Sequence, residues 1–199
     1  MTATPMVDGW RLFAWLAAAI SLVMAWPVLR VDPHDGQDVL KLIRHSVRVS
    51  LPFFLLAYVA SAWQRLRPNR WSRWLLHNRR MFGLLFSFGM TWQALYITML
   101  YNADRALFHE LVLTPQFLIV DGIGYCFIIA MTLTSFDPIR RHLTPRAWRL
   151  LHTSGMTYLW FVLAGTYVYA TVLGSLWFAP VAAMFVAAFA LRLAACRSN

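Results

Sequence analysis

The feature that most constrains this chain is a succession of apolar runs, each about as long as a bilayer core is thick, divided by short connections rich in arginine. A helix needs about 20 apolar residues to cross ~30 Å of hydrocarbon. Six stretches meet that requirement, at about 12–29, 43–63, 81–101, 115–136, 149–172 and 176–192. The third contains no charged residue. With 60% hydrophobic and 13% charged residues, the composition excludes an ordinary soluble domain, whose apolar share is about 45–50%.

The net charge of +10 would suit nucleic acid if it lay on one face. Here the arginines stand between apolar runs instead, which is the pattern that orients a membrane protein. No nucleic-acid partner is expected. Arg65, Arg67, Arg70, Arg73, Arg79 and Arg80 crowd one connection, and Arg140, Arg141, Arg146 and Arg149 crowd another. Arg192 and Arg197 close the chain. By the positive-inside rule all three clusters are cytoplasmic. The acidic turn at 32–38 and the nearly neutral segment 102–110 then face the other side. The expected fold is an all-α integral membrane protein, a single domain over 1–199, built as a six-helix transmembrane bundle with both termini cytoplasmic. No basic segment precedes the first run, which is too long for a signal core, so it reads as a retained span.

Finer features follow from spacing. Lys41, Arg44, His45 and Arg48 recur at three and four and share one helix face. Trp71 and Trp74 suit a segment lying along the membrane surface. Trp92, Tyr96, Tyr101, Tyr158, Trp160 and Tyr167 could line a hole for a ring system, but core packing and aromatic belts explain most of them. Cys126 reads as a small hydrophobe, and two cysteines give no disulfide framework.

Four polar residues carry the chemistry available within or beside the spans. His152 stands about one turn inside the fifth, where an imidazole can ligate haem iron, carry a proton or anchor among headgroups. His77 precedes the third span at similar depth. Gln93 is suited to an interhelical hydrogen bond, or to a quinone or propionate. Asp121 is the one acid well inside an apolar run, a proton or ion site or a simply solvated carboxylate near the outer end.

Two segments carry a family resemblance. HNRRMFGLLFSFGMTWQALYITMLY, through Arg79, Arg80 and Gly83, resembles the start of the third helix of the ferric reductase-like transmembrane family. LTSFDPIRRHLTPRAWRLLHTSGMTYLWFVLAG, through Leu133, Thr134, Ser135, Trp148, Leu151, His152 and Tyr158, resembles that family's basic loop and the start of its fifth helix. The branch most similar is that of the MsrQ-type haem-binding membrane subunits of the bacterial periplasmic methionine sulfoxide reductase system. The resemblance covers about 40–169 and implies b-type haem held by histidines of helices three and five. His152 falls on one such histidine, whereas Gln93 and Gly165 stand where two others are expected.

Both replaced positions lie ~20 Å from the cytoplasmic helix ends. The outer haem site is therefore expected to be lost, with Gly165 leaving room for helices to approach. An inner haem would use His152 (haem iron) with His77, while His45, His34 and His109 are expected towards the outer face and His142 in a cytoplasmic loop.

The resemblance implies a bacterial inner-membrane redox subunit passing electrons through a single or altered b-type haem, or a quinone. No Gly-rich dinucleotide fingerprint is present. Electrons would then come from a quinol or from a flavin on a separate redox partner protein. The competing expectation is a haem-free homologue acting in membrane assembly, anchoring or lipid binding. A small transporter using Asp121 and Gln93 is a weaker third.

Overall fold

The computed structural model describes residues 7–197, all helical or in short connections, with no strand among them. The long helices are α1 (Gly9–Val28), α2 (Gly36–Leu66), α4 (Arg79–Ala103), α8 (Pro145–Leu173) and α9 (Ala179–Arg197). Between them lie α3 (Arg70–His77), α5 (Arg105–Val112), α6 (Gly122–Leu133) and α7 (Asp137–Arg140). The five long helices are long and apolar enough to cross a membrane, α9 together with the turn that precedes it. The pair Arg105–Val112 and Phe117–Leu133 meets the same test only jointly, with a 74° bend between its halves. The fourth expected span is thus a piece of helix over 117–133 preceded by a short angled one. The expectation for the two chain ends falls partly on residues 1–6 and 198–199, outside those described.

The helix ends follow local chemistry. Asp104 caps α5 by accepting the Leu107 N–H at 2.9 Å, a signal that the charge-mixed segment 102–110 conceals. Asn69 and Ser72 form a reciprocal capping box at the start of α3. Thr144 caps α8 by accepting the Ala147 N–H, and Pro145 occupies the first helical position, where its missing N–H costs nothing.

The chain divides into two compact units. The first comprises residues 1–57 and 69–114, and the second comprises 58–68 and 115–199. In the first, α1 packs on α4, and α3 and α5 fold against α4. Pro27 in α1 has no N–H, so the Val23 carbonyl one turn earlier has no helical donor. His45 of α2 places its Nε2 3.2 Å from that carbonyl, and the Tyr96 hydroxyl of α4 donates to the Met24 carbonyl at 2.7 Å. His45 thus completes a helix weakened by proline. A Cβ at Gly89 of α4 would overlap the Ser50 hydroxyl of α2, so glycine sets the separation of these helices. The opposite edge of α2 presents Lys41, Arg44 and Arg48 outward, as the spacing predicts.

In the second unit α8 lies against both α6 and α9. The Trp160 indole donates to the Phe185 carbonyl at 3.2 Å and stacks on Phe189 with centroids 4.7 Å apart. The α9 face that it meets buries Phe185 between Ala182 and Ala188, small residues that admit close approach. A π-helical turn, Phe117–Asp121, leads into α6. Such a turn breaks the regular backbone ladder, and the Tyr158 hydroxyl of α8 donates to its Val120 carbonyl at 2.8 Å.

Trp15, Leu22, Leu150, Val172 and Trp177 are each more than 70% exposed. In water such a surface would drive aggregation. Against acyl chains it is the expected exterior.

Candidate functional site

The polar residues at the helix starts are where chemistry beyond packing is available, and α4 and α8 are built differently there. At the start of α4, Asn78 is fully buried. Its side-chain oxygen accepts the Gly9 N–H at 2.8 Å and its amide donates to the Trp74 carbonyl at 3.0 Å. Arg79 donates through Nε to the Ala57 carbonyl at 3.0 Å, and the Arg80 guanidinium lies 5.8 Å from the Trp10 ring centre. His77 is exposed, with Nε2 3.7 Å from an Asp8 carboxylate oxygen. This end of α4 is sewn into the first unit by hydrogen bonds.

At the start of α8, three residues of the resembling motifs meet. Thr134 ends α6, and its hydroxyl lies 2.7 Å from the Ala130 carbonyl and 3.1 Å from His152 Nε2. A hydroxyl has one proton to give. The shorter contact claims it, which assigns His152 Nε2 as the donor to Thr134 Oγ1. Trp148, one turn before His152, donates its indole N–H to the Thr134 carbonyl at 3.1 Å. Its ring stacks on the imidazole with centroids 4.3 Å apart and planes at 29°. The Arg140 guanidinium lies 4.9 Å from the same indole centre. One threonine therefore fastens two successive turns of α8 to the end of α6.

Beside this cluster is a cavity of about 480 Å³ lined by Arg140, Arg141, Arg149, Asp137, Trp148 and Leu143, among others. Asp137 makes no ion pair among the described residues, and the lining carries three arginines to this one carboxylate. Sequence reading takes these arginines only as a topology signal, because nothing in a loop's composition reveals that its turns border an open cavity.

The expected site residues fall in separate units. His77 and half-buried Gln93 belong to the first, and His152 and half-buried Asp121 to the second. Asp121 ends the π-helical turn and has no ion-pair partner among the described residues. Gly165 is exposed, and a Cβ there would meet nothing within 4 Å. The expected approach of helices at Gly165 is therefore not found, and close approach occurs at Gly89 and Gly155 instead. Cys126 and Cys196 are both exposed.

A haem iron needs an imidazole nitrogen with its lone pair directed at the metal. His152 directs Nε2 at Thr134 and one ring face at Trp148, so the ring nitrogen that carries the lone pair is Nδ1. Among the described residues no group of three or more His, Cys, Asp or Glu side chains is placed to hold a metal ion. Comparison with family models, with curated proteins and with solved structures returned no match to this chain.

Proposed function

We propose that the chain is a haem-free membrane protein of ferric reductase-like architecture, acting in membrane assembly, anchoring or lipid binding rather than in electron transfer. The observation that carries this reading is the engagement of His152. Its Nε2 bonds the Thr134 hydroxyl and its ring stacks on Trp148. The imidazole kept from the family motif thus serves as a helix clasp. The replacement of two further expected ligands by Gln93 and Gly165 points the same way.

In this reading the chain crosses a bacterial inner membrane six times, the bent pair formed by α5 and residues 117–133 supplying the fourth crossing, with both ends in the cytoplasm. The basic connections 64–80 and 137–149 support that orientation. The thiols offer a direct test. In sealed inverted vesicles, Cys196 of a Cys126→Ser variant is expected to react with an impermeant maleimide, and in right-side-out vesicles to be protected. Reversed labelling would overturn the orientation.

The cofactor has its own test. Protein purified from cells supplied with a haem precursor is expected to show no Soret band, and His152→Ala to leave its spectrum unchanged. A reducible Soret and α-band abolished by His152→Ala would establish the electron-transfer alternative.

A further inference from the structure

The cavity beside α7 and the start of α8 shares only Trp148 with the clasp, and the rest of its lining has a definite chemical character. Arg140, Arg141 and Arg149 supply three cationic forks against the single Asp137 carboxylate. Arg140 is held over Trp148, and Arg149 Nε lies 3.4 Å from the Pro145 carbonyl, a long contact that leaves its terminal nitrogens available. Arg141 makes no ion pair or hydrogen bond through its side chain among the described residues. Guanidinium groups bind phosphate oxygens in pairs with fixed geometry. The helix end contributes less, since Thr144 already accepts one N–H and Pro145 has none.

The apolar surroundings decide between phosphate sources. Leu143 and Trp148 line the cavity, and Leu150, next to Arg149, is 71% exposed on the helix that continues as a span. Ile139 of α7 is also exposed. A free anion would gain nothing from this apolar rim. A phospholipid places its phosphate among the arginines while its chains follow α8 past Leu150. Basic pockets at the cytoplasmic ends of membrane helices bind anionic headgroups in this way.

The geometry points to a binding site for an anionic phospholipid headgroup at Arg140, Arg141 and Arg149, in the open cavity of about 480 Å³ that they line. It rests on the membrane-embedded reading above and deepens its lipid-binding aspect.

The test uses the full chain in detergent micelles, with bound lipid counted by native mass spectrometry. Phosphatidylglycerol, phosphatidylcholine and inorganic phosphate are offered separately. One phosphatidylglycerol is expected to be retained at least about five-fold better than phosphatidylcholine. Arg141→Ala is expected to reduce that preference about five-fold, and Arg141→Lys to restore part of it. Arg197→Ala, outside the cavity, serves as the control. Equal retention of the two lipids overturns the proposal, as does loss of phosphatidylglycerol upon adding millimolar inorganic phosphate, which would mark a free-anion site. If Arg141→Ala fails to fold, Arg149→Gln reads the same preference. The failures are separable. A Soret band with lipid preference intact overturns only the haem-free reading, and a colourless protein without preference overturns only the lipid site.

Discussion

Helices α4 and α8 begin with similar chemistry and use it differently. Each opens with arginines and an indole nearby, and each carries two glycines deeper along its length. In α4 the first turn is closed: Asn78 is buried with both ends of its amide bonded, Arg79 bonds a carbonyl, and Gly89 lies against Ser50. In α8 the clasp through Thr134 uses Trp148 and His152, the arginines border an open cavity, and Gly155 lies against Met131 while Gly165, deeper still, meets nothing. Arginine at a helix start therefore does not by itself reveal whether it is structural. A carbonyl acceptor on another helix, as Ala57 is for Arg79, does.

The contrast can be broken by substitution, and the largest effect is expected at the glycines. Gly89→Val should destabilise the first unit by about 2–3 kcal/mol through overlap with Ser50. Gly165→Val should change stability by less than ~0.5 kcal/mol, since its new side chain faces open space. Denaturation in mixed micelles measures both, and equal losses would erase the distinction.

Next in size, Asn78→Ala strands the Gly9 N–H and should cost about 2 kcal/mol by the same assay. A neutral result would mean that the start of α4 is not held by this amide. Thr134→Val removes the acceptor of His152 and should cost about 1 kcal/mol, the range measured for hydrogen bonds between membrane helices. A double-mutant cycle with His152→Phe, which keeps a ring against Trp148, should show coupling of about 0.6 kcal/mol or more. Strict additivity would show that the two side chains do not interact. The smallest effect belongs to Arg141→Ala, expected within ~0.5 kcal/mol of the parent because its guanidinium bonds nothing among the described residues. A large loss there would make the starts of α4 and α8 alike.

The apolar runs locate the long helices because hydropathy over some 20 residues is a summed property that no single side chain can reverse. Short elements are less legible. The cap at Asp104 is present in the sequence, yet α5 has too few residues for its periodicity to stand out against Arg105, His109 and Glu110. The π-helical turn ending at Asp121 has no local signature, since its stability comes partly from Tyr158, whose hydroxyl bonds a carbonyl 38 positions away. His45 shows the same limit in reverse. Its position on a basic face is readable, but its partner exists only because Pro27 frees a carbonyl on another helix.

The candidate site divides along the same line. Thr134, Trp148 and His152 are each visible as motif residues, but their meeting depends on how the connection 135–144 turns. That connection also determines the cavity, which composition alone reports only as charge.

Asn78 joins α1 to a part of the chain made much later, for the Gly9 N–H that it accepts lies 69 positions earlier. During synthesis α1 emerges before its fastener has been translated, because the chain is delivered from its N-terminus. Until residue 78 leaves the ribosome, the leading end of α1 has only water or lipid headgroups to satisfy it. A nascent chain stalled before that residue should therefore expose Asp8 and Gly9 to protease, and one stalled well beyond it should not.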